Sequence, residues 1–240
     1  VGPSPENWWG EMKISNDNGT TWASHLKLPP GTLGPIKNKP VLLKNGVLLC
    51  PSSSENHGWQ IHFEMTKDIG KSWTKTGPLR NQGKFQVIQP ALFQISGNKL
   101  LSLCRSRNGH IVSTSSNDNG YTWTKLAATD LPNPNSGIDG ITMKDGRHVL
   151  VYNHVPLPKG KSGGSRSPLN VAISDDGVHW SAVAILENEE GEYSYPAIIQ
   201  TSDGLLHITY TWQRKRIRHV EMDPSLFSPK PIINQKWPEL

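Results

Sequence analysis

Four residues of very different chemistry stand at the starts of four apolar runs in the sequence. They are a lysine, an amide, a carboxylic acid and a phenol, at Lys39, Gln89, Asp139 and Tyr195. If the fold gathers them at one point, they can bind a polar ligand and move protons on it. Asp139 is the candidate general acid, because a carboxyl group can protonate a leaving group. A solvated strand end is the alternative interpretation for each residue alone.

Positive charge accompanies these four positions. Guanidinium groups bind carboxylates in a bidentate manner, which scattered lysines do not. The sequence therefore predicts a site for an anionic or uronate-bearing sugar. The same positive charge would keep Asp139 ionised unless the carboxyl group is also desolvated. An ionised Asp139 could not act as an acid. The arginines concerned are Arg105, Arg107, Arg166 and Arg214.

Two histidines and one loop are further candidates for this site. His57 and His154 each follow the second strand of a predicted hairpin, and an imidazole with a pKa of about 6.5 can carry a proton near neutrality. A satisfied or exposed histidine is the alternative for each. The glycine-rich stretch PLPKGKSGGSR, residues 156–166, is either a mobile flap over the site or a disordered insertion.

A short polar phrase that ends in tryptophan recurs four times. The copies are SNDNGTTW (15–22), TKDIGKSW (66–73), SNDNGYTW (116–123) and ISDDGVHW (173–180), and their tryptophans lie 51, 50 and 57 residues apart. A period near 50 is typical of propeller blades. In each copy we expect the aspartate, at 17, 68, 118 or 175, to accept backbone N–H bonds, and the following glycine to adopt a positive φ. Each tryptophan should bury its indole between two sheets.

A second pattern keeps the same period and completes a structural unit. Two apolar runs around a glycine turn, as in KPVLLKNGVLL, predict a β-hairpin. A third strand, the polar phrase as a turn and a fourth strand then make a four-stranded antiparallel blade. We predict a single all-β domain, 1–240, with the β-propeller fold. Complete blades span 38–80, 88–130 and 138–187, with a half blade at 1–28 and the last blade plus a C-terminal tail at 194–240.

The number of blades stays open at this point. A half blade leaves an unpaired edge that needs strands from elsewhere. Either the two chain ends complete each other in a ring of about five blades, or a longer six-bladed parent has lost its first segment.

Composition and charge limit the classes of partner that we expect. The net charge is +5, and the two dense basic runs, KGKSGGSRS and QRKRIRH, lie outside any nucleic-acid-binding motif, so we expect no nucleic acid partner. No apolar stretch reaches membrane-spanning length, so we expect no membrane insertion. The histidine and cysteine spacing predicts no metal site and no cofactor. Cys50 and Cys104 are expected to be buried free thiols, with one bridge between them as the alternative. We expect a monomer. The sequence leaves the cellular compartment open and is compatible with a secreted or vacuolar-type location.

The recurring phrase resembles the Asp-box, or BNR repeat, of sialidases. Almost the whole chain resembles the sialidase-like Asp-box proteins that are labelled as predicted neuraminidases. The segments that carry this resemblance are GPSPENWWG, GPIKNKPVLL, LPNPNSGIDG, RSPLNVAISDDG and GEYSYPAIIQTSDGLLHITYTW. Because Asp-boxes occur in propellers with several chemistries, and in some with none, the resemblance implies the architecture more strongly than the activity.

The resemblance also implies roles for individual residues. Sialidases of this fold use three arginines on the substrate carboxylate, a tyrosine nucleophile assisted by a glutamate, and an aspartate acid/base. Arg166 resembles one of the arginines, and Arg105 or Arg107 resembles a second, with His110 as the alternative position. Tyr193, in EYSYP, resembles the nucleophile. The first arginine and the acid/base aspartate would precede Val1.

One position departs from the family pattern. Gln89 stands where the assisting glutamate is expected, and an amide cannot take a proton from a phenol whose ordinary pKa is about 10. Glu192 could substitute only if the chain bends, because neighbours in a strand point to opposite faces. The sequence thus predicts a glycosidase-type site for an acidic sugar or glycan at the propeller mouth. A non-catalytic carbohydrate-binding propeller is the alternative. Predicted catalytic residues are Tyr193, Asp139 and Glu192, and predicted substrate-binding residues are Arg105, Arg107, Arg166, Arg214, Lys39, Gln89, Tyr195 and His154.

Overall fold

The computed structural model describes residues 4–56, 58–79 and 83–240, so His57 lies outside the described residues. Antiparallel sheets follow one another along the chain. Blade 1 contains β3 (Val41–Leu42), β4 (Leu48–Ser54), β5 (Gln60–Thr66) and β6 (Thr74–Leu79). Blade 2 contains β7 (Val87–Ser96), β8 (Lys99–Ser106), β9 (His110–Ser116) and β10 (Ala127–Pro132).

The second half of the chain builds two more sheets. Blade 3 contains β11 (Asp139–Thr142), β12 (His148–Tyr152), β13 (Leu169–Ser174) and β14 (Ser181–Glu187), extended by β18 (Lys230–Pro231). Blade 4 contains β15 (Tyr193–Gln200), β16 (Leu206–Trp212) and β17 (Arg216–Met222). A ribbon of β1 (Glu11–Met12) and β2 (Leu26–Lys27) precedes them. The prediction of an all-β propeller with antiparallel blades is confirmed.

Helices play a small part in the described chain. Two short 3-10 helices span Pro5–Asn7 and Pro224–Leu226. Over the residues that the structure describes, no helix has the length and apolar character needed to cross a membrane.

The two ends of the chain do not share a blade among the described strands. The C-terminal strand β18 pairs with β14, through Ser181 opposite Pro231 and Ala182 opposite Lys230. Within the described residues β17 pairs with β16 alone, and β1 pairs with β2 alone. The C-terminal segment therefore extends blade 3 and does not complete blade 4.

Among the residues that the structure describes, the core forms three layers, each between two successive blades. Leu49, Phe63 and Val87 belong to the first layer, Phe93 and Leu150 to the second. The strand HVLVY, β12, is buried at every position because successive side chains point to opposite faces. Val149 and Val151 enter the layer against blade 4, whereas Leu150 and Tyr152 enter the layer against blade 2. Alternating burial thus holds each blade between its two neighbours.

The two cysteines lie in this core. Cys50 and Cys104 are buried and free in the structure. Burial raises the pKa of each thiol to about 12. Both side chains therefore act as small apolar packing groups at neutral pH.

The recurring phrase forms the turn between the outer strands of blades 1 to 3 and between β1 and β2, as predicted. In the first copy the Asp17 carboxylate accepts the backbone N–H of Thr21 at 2.8 Å, and in the second Asp68 accepts that of Ser72 at 2.8 Å. The glycines have φ between 76° and 88°. Each indole N–H donates to the carbonyl of the glycine three residues before it.

Two details of the phrase differ from the prediction. In the fourth copy the acceptor is Asp176, which binds the N–H groups of Val178 and His179, and not Asp175. The reason is that this copy has one residue fewer between its serine and its glycine than the first and third copies have. In addition, the Trp22 side chain is 60% exposed, whereas Trp180 is 6% exposed. The indole is buried only where the turn packs against a neighbouring sheet.

We expect the Asp-box carboxylates to make stability depend on pH in acid. Hydrogen bonds from the side chain and backbone of Thr21 and Ser72 lower the pKa values of Asp17 and Asp68 from 3.8 to about 2. Since the folded pKa lies below the unfolded one, this contribution is complete above about pH 4 and is lost as the pH falls towards 2. Thermal unfolding midpoints between about pH 6 and pH 2 should fall less steeply for Asp68→Asn than for the wild type. Equal slopes would contradict the assignment.

Candidate functional site

Two innermost strands contain the same local distortion near the propeller axis. Gln89 and Tyr195, each followed by proline, have φ of 55° and 52°. The pairing register shifts at both places, between Ile88 and Ala91 and between Ser194 and Ala197. Such bulges turn a side chain out of the regular pleat, and non-glycine residues with positive φ are enriched at functional sites.

An arginine from blade 2 and one from the 156–166 loop approach the Tyr195 phenol. The Arg105 side chain is buried, and its Nε donates to Asn135 Oδ1 at 2.8 Å while its Nη1 donates to Gln89 Oε1 at 3.3 Å. The Arg166 guanidinium carbon lies 5.4 Å from the Tyr195 ring centroid. These contacts bring together residues that are far apart in the sequence.

The two guanidinium groups change the acidity of the phenol. Burial by itself raises the pKa of Tyr195, but hydrogen bonds and charge interactions with Arg105 and Arg166 outweigh it, so the pKa lies below its ordinary value of 10.0. Burial likewise lowers the pKa of Arg105, opposed by its interactions with the Tyr195 hydroxyl. The phenol is therefore more easily ionised than a free tyrosine, and an anionic oxygen is favoured between these arginines.

A glutamate joins Arg166 to a second arginine, which is exposed. The Oε1 atom of Glu192 lies 3.3 Å from Arg166 Nη1, and its Oε2 atom accepts from Arg214 Nε at 2.7 Å. The Ser194 hydroxyl also donates to Oε1, at 3.1 Å. The hydrogen bond from Arg214 is the main reason why the pKa of Glu192 is lowered. Glu192 is therefore an ionised anchor for two arginines and is poorly suited to be a proton donor.

Two lysines and an aspartate lie close to Tyr195 at the start of β15. Lys39 Nζ lies 2.6 Å from Asp139 Oδ2, which also accepts the backbone N–H of Ile198 at 3.0 Å. Lys37 Nζ donates to the carbonyls of Ile138 and Pro196, at 2.5 Å and 2.6 Å. Asp139 is 3% exposed, and its other oxygen, Oδ1, has no hydrogen-bond partner. Its bonds hold blades together, so this geometry gives little support to Asp139 as general acid.

A cavity of about 260 Å³ adjoins Lys39 and Asp139. It lies beside the innermost strands β3, β7 and β11, and its lining includes Lys39, Asp139, Leu92 and Thr142. The arginines do not line it. The site therefore consists of a charged mouth and an adjoining cavity along the innermost strands.

The structure does not bring three of the predicted site residues to the mouth. Tyr193, predicted as the nucleophile, is fully buried in the layer between blades 3 and 4, where its ring packs near Trp212. His154, predicted to bind substrate, is buried under the C-terminal segment: its Nε2 donates to the Gln235 carbonyl and its Nδ1 bonds the Tyr152 hydroxyl. Burial is also the main cause that lowers its pKa. The phenol that faces the arginines is that of Tyr195.

Arg107, the third, lies at the periphery. Its guanidinium group stacks 4.0 Å from the Trp59 ring centroid and donates to Gln86 Oε1 at 3.3 Å. The Arg105 guanidinium approaches the same indole ring at 5.2 Å. Trp59 thus connects the exposed rim with the inner arginine.

Sequence reasoning missed Lys37, Asn135 and Trp59. Asn135 has a φ of 62° and donates from Nδ2 to the Ser162 carbonyl at 2.6 Å, so it holds both Arg105 and the glycine-rich loop. This loop lies against the segment around Pro134 in the structure, where Gly164 N–H donates to the Pro134 carbonyl at 2.9 Å. The phrase LPNPNSG is a turn-rich stretch directly before an innermost strand, which is the one signal that pointed to this position.

The mouth presents guanidinium groups beside a phenol. Among the residues in 4–56, 58–79 and 83–240, no group of three or more His, Cys, Asp or Glu side chains has a metal-binding arrangement. The arrangement of Arg105, Arg166 and Tyr195 is suited to a carboxylate-bearing molecule, because guanidinium groups form paired, charge-assisted hydrogen bonds with carboxylates.

Solved structures with the same fold were found by comparison. A K499G mutant of the NanB sialidase from Streptococcus pneumoniae has a TM-score of 0.72 at 15% identity, over 91% of this chain and 36% of that chain. The intramolecular trans-sialidase from Ruminococcus gnavus has a TM-score of 0.65 at 19% identity, over 92% and 49%. A protein of unknown function from Dyadobacter fermentans has a TM-score of 0.65 at 15% identity, over 83% and 58%. At these identities the likeness shows the fold alone.

The length and family of the chain also follow from comparison. The chain spans from about a third to somewhat over half of the length of these structures. No curated protein sequence matches it significantly. The model of the BNR repeat-like domain matches residues 1–208, which carry all four copies of the phrase and the strands β3 to β14 of blades 1 to 3. The chain therefore belongs to the BNR repeat-like domain family and has the propeller fold of sialidases.

Proposed function

We propose that the mouth of this propeller binds a carboxylate-bearing sugar and forms a glycosidase-type site. The contact of Arg105 and Arg166 with one phenol, that of Tyr195, is the observation that carries the proposal. In this arrangement the two guanidinium groups bind the sugar carboxylate, and Tyr195 faces the ring. The sialidases with the same fold act on acidic sugars, which supports the choice of ligand class.

Tyr195 takes the role of nucleophile in this proposal. A phenolate attacks far better than a phenol, and the lowered pKa of Tyr195 increases the phenolate fraction near neutrality. Arg214 and Ser194 act through Glu192, which orients Arg166. Lys39 and Asp139 form part of the wall of the adjoining cavity.

A second candidate function is binding without cleavage. Gln89 Oε1 accepts a hydrogen bond from Arg105 Nη1, so the group beside the phenol is an amide and not a base. Once a ligand carboxylate neutralises the arginines, they stabilise the phenolate less, and Glu192 is poorly placed to take the proton of the phenol, because both its oxygens hold arginines. This favours a carbohydrate-binding propeller.

We expect Tyr195→Phe to separate the two functions. Binding and turnover are measured on a panel of sialosides and uronides, and an active enzyme should lose turnover by about 1,000-fold or more while its affinity changes little. Tyr193→Phe should keep turnover, because that phenol is buried away from the arginines. Tyr121→Phe, on an exposed turn, is the control. Binding without turnover in the wild type would support the second function, and no binding by any acidic sugar would refute both.

A further inference from the structure

We infer that Lys37 is a positioning residue, which fixes Tyr195 between Arg105 and Arg166 by tying together the backbones of blades 3 and 4. This inference rests on the proposed function for its ligand, but its central measurement needs no ligand. Lys37 belongs to the loop before β3, in blade 1, and it lies 101 and 159 residues from its two hydrogen-bond partners.

The geometry shows what the ammonium group connects. Lys37 Nζ donates to the carbonyl of Ile138, the residue before Asp139, and to that of Pro196, the residue after Tyr195. One cation from blade 1 therefore holds the starts of β11 and β15, which carry the acidic and phenolic groups of the mouth. Both bonds are short and charge-assisted, which makes them stronger than ordinary amide bonds.

Tyr195 needs such an anchor because its backbone conformation is unfavourable. A non-glycine residue with a φ of 52° is strained and persists only where its surroundings hold it. The Tyr195 ring also lies close to Gly137: a Cβ at that glycine would be 3.2 Å from Tyr195 Cδ1 and 3.6 Å from Lys37 Cε. The lysine stem and the phenol ring thus pack on the same glycine, which leaves room for both.

The charges around Lys37 are consistent with an anchor and not with a proton carrier. Burial lowers the pKa of Lys37 to about 8, against the raising effect of Asp139, and Lys39 and Arg105 lower it further. At neutral pH the side chain is mainly protonated, as its two donor bonds require. Lys37 bonds the carbonyl of Pro196, the residue that follows Tyr195. It therefore acts on the phenol by fixing the backbone that orients it.

The test compares two lysines that make the same kind of bond. Lys144 Nζ also donates to two carbonyls across the boundary of blades 3 and 4, those of Thr201 and Ser202, at 2.9 Å and 3.0 Å. It lies in the turn between β11 and β12, at the other end of β11 from the mouth, and its bonds are exposed. Lys144→Met is therefore the control for the loss of an interblade lysine bridge.

The measured quantity is the pKa of the Tyr195 phenol. Each protein and its Tyr195→Phe counterpart are titrated by ultraviolet absorbance, and the difference between the two curves gives the titration of Tyr195. Burial raises the pKa values of Tyr152 and Tyr210, which separates their signals from that of Tyr195. In Lys37→Met we expect the Tyr195 pKa to rise towards its ordinary value of 10.0. Turnover of an acidic sugar should fall about 10- to 100-fold, the effect on rate of a misplacement of the nucleophile by about 1 Å.

Lys144→Met should leave both the phenol pKa and the turnover at their wild-type values. An unchanged Tyr195 pKa in folded Lys37→Met overturns the inference, as does an equal shift in Lys144→Met. If Lys37→Met does not fold, Lys37→Arg is compared with Lys144→Arg: a raised Tyr195 pKa in the first alone supports the inference, and no difference refutes it. If no acidic sugar binds the wild type, the proposed function fails, while the titration still decides the role of Lys37.

Discussion

Replacement of Arg166 by methionine should reduce the affinity for an acidic sugar about 30- to 1,000-fold, which corresponds to about 2–4 kcal/mol for the loss of one charge-assisted partner. The reason is that Arg166 approaches Tyr195 and is oriented by Glu192, with its side chain 20% exposed and accessible to a ligand. Methionine keeps much of the apolar stem and removes the charge. Isothermal titration calorimetry with a uronide or a sialoside measures the effect.

Arg105→Met should lose affinity to at least the same extent, with an added loss of stability. Its guanidinium group is buried and bonds Gln89 and Asn135, so its removal leaves two amide oxygens without their donors. Thermal unfolding separates that second effect from the loss of binding. Arg147→Met is the matched control, since Arg147 pairs with Asp145 at 2.8 Å on the surface and does not belong to the mouth.

The methyl ester of the same sugar makes the experiment specific for the carboxylate. An ester cannot form the paired ionic bonds of a carboxylate with guanidinium. We therefore expect the wild type to bind the ester at least as weakly as Arg166→Met binds the acid, and Arg166→Met to prefer the acid over the ester less strongly than the wild type does, because Arg105 remains. If Arg166→Met lost acid and ester affinity in equal proportion, the arginine would be acting on something other than the carboxylate.

Much of the fold is readable in the sequence because the propeller repeats its local chemistry. The tryptophan-terminated turn recurs with each unit from blade 1 to blade 3, since a blade of four short strands needs about 50 residues. The turn needs an acceptor and a glycine in fixed places, as Asp68 and Gly70 show. The repeated sequence does not predict how each copy packs against its neighbours. Trp22 and Trp180 both end a copy of the phrase, but the exposed fractions of their side chains differ greatly.

The site is harder to predict because its side chains leave the regular pattern. In an undistorted strand Tyr193 and Tyr195 would face the same side. The register shift after Ser194, with the positive φ of Tyr195, sends one phenol into the core and leaves the other 41% exposed at the mouth. The arginines of the mouth could be expected from the sequence, whereas the identity of the phenol depends on the bulge.

Lys37 and Asn135 were missed for a related reason. Each bonds partners from distant parts of the chain, and no local spacing marks such a contact. The carbonyls that Lys37 binds belong to residues before Asp139 and after Tyr195, so its role follows from two other side chains and not from its own neighbours. Contacts of this kind need the assembled blades before they can be inferred.

Trp180→Ala should destabilise the protein by about 3–5 kcal/mol, the usual cost of removing a large buried aromatic side chain. Trp180 is 6% exposed in the layer between blades 2 and 3, where its ring meets Phe93 edge-on at 6.1 Å. Its indole N–H donates to the Gly177 carbonyl at 3.2 Å. Urea unfolding, followed by circular dichroism, measures the change in the free energy of unfolding.

Trp22→Ala provides the matched comparison for this prediction. Trp22 ends the first copy of the same phrase, and its indole N–H donates to the Gly19 carbonyl at 3.0 Å, but the side chain is 60% exposed. If packing between blades is what the phrase contributes, this variant should lose no more than about 1 kcal/mol, the net value of one hydrogen bond. Similar losses in the two variants would mean that the phrase stabilises its own turn, and that the blades are held together by the strands alone.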